Sequence, residues 1–300
     1  DAEASKADLE PAGMNRSPNQ LYEYYYGYQA RDWSASEWGG LIRFEHFLQP
    51  QLTLFSGVSR SARAADTTER FLGSDNMNPA KRWVGNPALE TAKHNQLDLG
   101  LSSQNRSSTW SVTGFVDQVD DFILRDRAHA QEGVLQNDSA TIYRNVETRL
   151  VGLEADGTYR AGRWQLAGVA SWVRGDNRTD DRPLAQIPPL EGWLQLDYGV
   201  DRWGVATLFR WAVAQDRVDD DPLTGSGQDY GETPGYGVLD LSGRVEIWGS
   251  LSLAVGVDNV FDRAYANHLN RGNLFDPEPV RINEPGRTLW LRLAWRGGAF

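Results

Sequence analysis

Residues 194 to 214 alternate with a period of two: Leu194, Leu196, Tyr198 and Val200, then across Asp201-Arg202 the run Trp203, Val205, Thr207, Phe209, Trp211 and Val213. Between them stand Gln195, Asp197, Gly199, Gly204, Ala206, Leu208, Arg210 and Ala212. Successive side chains of a strand point to opposite faces, so this stretch reads as a tight antiparallel hairpin with one oily face and one small or polar face.

The pattern recurs along almost the whole chain. Leu97, Leu99 and Leu101 meet Trp110, Val112, Gly114 and Val116 across Asn105-Arg106-Ser107. Val151, Leu153, Ala155, Gly157 and Tyr159 face Trp164, Leu166, Gly168, Ala170 and Trp172, and Leu239 to Ile247 face Leu251 to Val257. Ile42, Phe44, His46 and Leu48 turn at Gln49-Pro50 into Leu52, Leu54, Ser56 and Val58, and an unpaired run, Leu289, Leu291, Leu293 and Trp295, follows near the C-terminus. About eleven strands are expected, ten of them in hairpins.

Turn lengths separate a membrane reading from a soluble one. The hairpin turns take about two to four residues, whereas the opposite connections run roughly from 62 to 92, 119 to 141, 174 to 189, 215 to 235 and 261 to 286; that asymmetry is typical of an outer-membrane barrel, periplasmic against extracellular. Trp164 and Trp172 are eight residues apart in one register, as are Trp203 and Trp211. Each pair spans roughly 26 Å of strand, or about 20 Å of bilayer after a tilt near 40°, which would place one indole at each interface of an apolar band. The fold class expected is therefore all-β, an antiparallel transmembrane β-barrel.

A mean hydropathy of −0.54 does not oppose this, because every second residue of a barrel strand is polar. No apolar run of about 18 residues is present, so no spanning helix is expected. The absence of Cys excludes disulfides and thiolate metal sites within these 300 residues. The net charge of −11 concentrates in the long connections, with Asp216, Asp219, Asp220, Asp221, Asp229 and Glu232 against Arg217 between 215 and 235. Such an exterior argues against nucleic acid and could draw cations; solvated loops are the plainer reading. The chain opens on Asp1-Ala2-Glu3 without an export signal, and an odd strand count does not close in the usual way, so it is expected to be a piece of a longer protein.

Several short motifs sit at strand ends: Asn86-Pro87-Ala88-Leu89-Glu90, Ile187-Pro188-Pro189, Asp258-Asn259-Val260-Phe261-Asp262 with Tyr265, and Glu284-Pro285-Gly286-Arg287. In that order and spacing the chain resembles the C-terminal half of a TonB-dependent outer-membrane receptor. Arg63-Ala64-Ala65-Asp66-Thr67-Thr68-Glu69-Arg70-Phe71 and Tyr265-Ala266-Asn267-His268-Leu269-Asn270-Arg271 resemble the copper-receptor branch. Two positions depart from the family pattern: Thr91-Ala92-Lys93 follows the Asn-Pro motif, and Trp295 rather than Phe300 is in phase with the last strand.

The resemblance implies a 22-stranded barrel of which residues 37–300 are about the last eleven strands, with residues 1–36 an extracellular loop segment and the plug domain absent from this chain. It implies an outer-membrane address in a Gram-negative bacterium, lipid and lipopolysaccharide neighbours, and a TonB complex reached through the missing N-terminal region. It also implies transport rather than catalysis, with no cofactor and with copper or a copper complex as cargo. A ferric-siderophore or other metal-chelate receptor is the alternative within the class; a passive porin or an adhesin is the alternative outside it.

Copper receptors of this type are expected to hold the metal with Cys-x-x-x-Met in the plug and His-x-Met in the barrel, and neither motif occurs here. The candidate metal contacts are therefore Met14 and Met77, whose thioethers suit Cu(I), and His268 in the last long loop. For Asn86, Pro87, Leu89, Glu90, Pro188, Pro189, Asp258, Asn259, Phe261, Asp262, Tyr265, Pro285, Gly286 and Arg287 a structural role is expected, since donor-free prolines and side-chain-to-backbone bonds suit strand ends. Tyr22, Tyr24, Tyr25, Tyr26 and Tyr28 either stack on an organic ligand or pack one loop on another, and packing is the expectation. No Gly-x-Ser-x-Gly, His-Glu-x-x-His or phosphate loop is present, so hydrolase chemistry has no anchor.

Overall fold

The structure, a computed structural model, describes residues 16–248, 251–273 and 280–296. Eleven long strands form its main path: β1 Gly40–Gln49, β2 Leu52–Arg63, β3 Ala92–Gln104, β4 Ser108–His129, β5 Asn137–Ala161, β6 Trp164–Asn177, β7 Glu191–Val200, β8 Trp203–Ala212, β9 Tyr236–Trp248, β10 Leu251–Asp258 and β11 Thr288–Trp295. Each is hydrogen-bonded to its sequence neighbour, so the order is β1 through β11 without a crossover and the pairing along this path is antiparallel. Among the described residues the sheet has two unpaired edges, β1 and β11.

The register keeps the apolar residues of neighbouring strands on one face of the sheet. Leu196 pairs with Thr207, Thr207 with Leu241, Leu241 with Val257 and Val257 with Leu289. The same face carries Leu97, Val116 and Val151 in one row. A slip of one residue anywhere would turn a strand's whole apolar set to the other side. This face is left bare: Leu196 is 42%, Val205 50%, Leu241 42% and Leu291 70% exposed. Across the wall the inner face is polar and bonded to itself, as in Asp117 with His94 Nδ1 at 2.7 Å, and Arg210 with both oxygens of Asp240 at 3.0 Å.

One expectation about the long connections is corrected, and one feature is added to them. The span 119 to 141 is not a loop; β4 runs 22 residues and β5 25, and their ladder continues far beyond the other strands to a turn at 130–136. The register shifts between Val119 and Phe122, where Asp121 has φ 59°, so a β-bulge flips the alternation and hides the strand's continuation from a period-two reading. The connections also contain helices, α1 Pro18–Tyr26 and α2 Thr67–Phe71. Both start with a capping box, Ser17 with Gln20 and Asp66 with Glu69, which is the sequence signal that could have located them.

Candidate functional site in the long-loop layer

All three buried apolar clusters of the described residues lie at the long-loop end. In the largest, α1 lays Leu21, Tyr22, Tyr25 and Tyr26 against Val84, Ala128, Val134, Ala140 and Ile142 of the tall β4–β5 hairpin and its flank. The phenols anchor rather than line a ligand cavity: Tyr22 donates to Phe71 O at 2.5 Å, Tyr25 to Asp138 Oδ2 at 2.8 Å and Tyr26 to Val84 O at 3.2 Å. Burial pushes the Tyr22 phenol up to about 12 and Tyr25 higher, which keeps both protonated as donors.

The strand-end motifs tie this layer to the sheet. Asn86 accepts from Tyr28 and from Ala88 N and donates to Tyr143 O at 3.0 Å, while the buried Arg70 donates to Pro87 O and Leu89 O. Leu89 is fully buried against Val119 and Ile123, and Glu90 exchanges backbone bonds with the Asn145 amide. Pro188 and Pro189 precede β7, where Ile187 O accepts from Gln215 Nε2 at 2.8 Å. At the end of β10, Asn259 has φ 51° and its amide bridges Arg263 O, Pro285 O and Arg263 N.

The last motif is bound to the same corner. Asp262 accepts from Arg287 N at 2.8 Å, and a Cβ on Gly286 would lie 2.9 Å from the Asp262 oxygen. Asp258 accepts from the Trp290 indole, and the buried Tyr265 hydroxyl from Arg210 at 3.3 Å; Asn259 is buried with Tyr265, while Phe261, Asp262, Pro285, Gly286 and Arg287 are exposed. These residues splice loop to wall. Trp164, Trp172, Trp203 and Trp211 lie in the outer-face register, with Trp164 and Trp203 flanking Tyr198 at ring distances of 4.6 and 5.6 Å.

Of the acids in the 215–235 connection, Asp216, Asp220, Asp221 and Glu232 are exposed, as the plainer reading expects, whereas Asp219 and Asp229 are buried. Asp126 is fully buried and accepts from Arg144 Nε at 2.7 Å, with Arg182 Nη2 3.3 Å away. Arg144 also pairs with Asp180, and Arg182 with Asp219 at 3.5 Å. Burial alone would raise the Asp180 carboxyl, but the bonds and charge from Arg144 and Arg182 more than reverse it and hold it low. Asp219 goes the other way: desolvation raises it although Ser226 N donates to it at 3.0 Å. Asp229 accepts from Asp219 N at 2.9 Å and from Gln186 N at 3.0 Å, which closes the 215–235 connection over the one before β7.

His268 is brought into this packing. Its side chain is 1% exposed, with Nδ1 2.8 Å from Thr233 Oγ1 and Nε2 3.7 Å from Asp229 Oδ1. Arg281 donates to the same hydroxyl at 2.5 Å, so Thr233 links the ring to Arg281. Burial lowers its pKa, opposed by Asp229 and aided by Arg281. Met77 is 84% exposed while His268 is buried; Met14 lies outside the described residues, as does Phe300, and β11 ends at Trp295. Among the described residues no three of His, Cys, Asp and Glu converge as a metal-binding group.

Comparison with known proteins follows the same lines. Residues 15–260 match the family model described as TonB dependent receptor-like, beta-barrel. Copper transporter OprC has 30% sequence identity and a TM-score of 0.73 over 86% of this chain and 39% of its own. The ferric enterobactin receptor PfeA of Pseudomonas aeruginosa has 20% identity and a TM-score of 0.68, over 86% of this chain and 40% of its own. The siderophore receptor PirA of Acinetobacter baumannii has 19% identity and 0.67, over 87% and 41%. At that identity the two siderophore receptors share the fold alone. The chain thus spans about two fifths of the structures it matches. No curated protein sequence matches it.

Proposed function

This chain belongs to the TonB-dependent receptor-like β-barrel family, one of receptors and transporters rather than enzymes, and from that premise we propose that it is the C-terminal barrel half of an outer-membrane importer for copper or a copper complex. The observation that carries the cargo is the 30% identity with a copper transporter, against 20% or less for the siderophore receptors of the same fold. The bare apolar face supports a lipid setting, the short-turn end lying in the periplasm and the long-loop layer outside the cell.

In this reading import is driven through a TonB complex that engages the part of the receptor preceding this chain. The two free edges are closed by the other barrel half. Met77, exposed on the outer layer, is a first thioether for Cu(I), and His268 becomes a second contact only when the 215–235 connection lifts from it. Met14 is proposed alongside Met77 on donor chemistry alone.

The test is copper accumulation by cells expressing the full-length receptor, measured by elemental mass spectrometry with and without TonB. The account predicts TonB-dependent accumulation of copper. Accumulation of a ferric chelate with no change in copper would move the cargo to the siderophore class, and uptake indifferent to TonB would remove the active-transport reading.

A further inference from the structure

On the outer face the apolar band ends abruptly between β2 and β6. One transverse row reads Val58, Leu97, Val116, Val151 and then Arg174; the next row toward the long loops reads Arg60, Asn95, Gln118, Arg149 and Asp176. Arg174 stands two residues beyond Trp172 on the same face, and its side chain is 51% exposed. Asp176 is shared, 3.3 Å from Arg174 Nε and 2.6 Å from Arg217 Nη2.

Two guanidiniums beside it are free. Arg149 and Arg178 are exposed and make no side-chain hydrogen bond or ion pair with any described residue. A depression of about 300 Å³ opens there, lined by Arg174, Asp176, Arg178, Asp181 and Arg217 among others. Asp176 and Asp181 lie among these arginines, and Glu147 stands with Asp120 and Asp121, the last paired with Lys93. Asp176 is already shared by Arg174 and Arg217, so Arg149 and Arg178 are left without an acidic partner.

We propose that Arg149, Arg174 and Arg178 form a binding site for the phosphate of a phosphorylated lipid headgroup in the outer leaflet. Guanidinium forks match phosphate oxygens in pairs, and cations just outside the hydrocarbon boundary meet lipid phosphates at that depth. The register supplies the other half of the ligand: acyl chains would lie along Val151, Leu153, Ala170 and Trp172 directly below. A free phosphate would have no use for that apolar row, so the lipid is the occupant. The site rests on the membrane placement proposed above and is independent of the cargo.

The test uses the full-length receptor purified from outer membranes in detergent, with bound lipid A counted by native mass spectrometry. The triple variant Arg149→Gln, Arg174→Gln, Arg178→Gln is expected to weaken lipid A binding by about tenfold or more, and the matching triple Lys variant, which keeps the charge without the fork, to lose less. Undiminished binding by the Gln variant, equal binding of dephosphorylated lipid A, equally tight binding of inorganic phosphate, or a loss as large in the Lys variant as in the Gln variant would each overturn the proposal. Heat-modifiable migration of each variant is scored separately: a protein that never enters the membrane refutes the placement, whereas an embedded barrel with unchanged lipid binding refutes only the phosphate site.

Discussion

The wall of the sheet and the layer above it solve the problem of burial in opposite ways. Between the short turns and the row Leu97–Val116–Val151 the strands carry no three-dimensional core; their apolar residues stand in one plane, 40 to 70% exposed at Val245 and Leu291. Above that row the chain packs like a water-soluble protein, with three apolar clusters and a lattice of buried Arg–Asp pairs. A face that gains nothing by packing on protein needs another apolar solvent, whereas a layer with its own core does not. On the outer-membrane reading proposed above, the bilayer boundary falls within one row of residues.

The strongest way to break the upper layer is to remove a charge it cannot do without. Asp126→Ala leaves Arg144 and Arg182 facing a buried gap, and the expected loss is about 3–5 kcal/mol in the opening free energy of the β4–β5 hairpin by hydrogen exchange. A loss below about 1 kcal/mol would mean that water already reaches the lattice.

The wall responds to charge on one face only. Leu196→Arg is expected to cost about 2–4 kcal/mol in lipid, while Ala206→Arg, on the polar inner face, should be near neutral. Refolding stability into vesicles measures both, and equal costs at the two positions would erase the distinction between faces.

The smallest effect is a pH dependence. The His268 pKa is lowered in the fold, so as pH falls below the unfolded value of 6.5 the unfolded ring takes up a proton that the buried ring refuses. Packing of the 215–235 connection on His268 is therefore full above that pH and weakens below it; Asp229, Thr233 and Arg281 face the ring. Hydrogen exchange of residues 215–235 between pH 8 and pH 5 should show the decline, and His268→Gln should flatten it.

Which parts of the molecule were legible in the sequence follows from the same contrast. The wall is written locally, because lipid asks only that every second residue be apolar, and eleven strands with both free edges could be read from that alternation. The upper layer is written in contacts between distant residues. Asp126 meets Arg144 and Arg182 only because the hairpin continues past a bulge, and Asp121, the residue that makes the bulge, looks like any loop acid. The burial of His268 is not legible because nothing near it in sequence announces Thr233 or Asp229. The tyrosine run was the exception, since Leu21, Tyr22, Tyr25 and Tyr26 fall on one helical face behind a Ser-Pro-x-Gln start that carries its own signal.

Lipid contact itself can be measured directly. This stretch contains no Cys, so single thiols at Leu196, Val205, Leu241 and Leu291, and at their inner-face neighbours Gln195, Ala206, Ser242 and Arg292, can be spin-labelled in the full-length receptor in bilayers. Collision with oxygen should be high and with a water-soluble nickel chelate low at the first four, and the ratio should fall at every second residue. Uniform protection of the first four from both reagents would show a wall packed on protein and contradict the account.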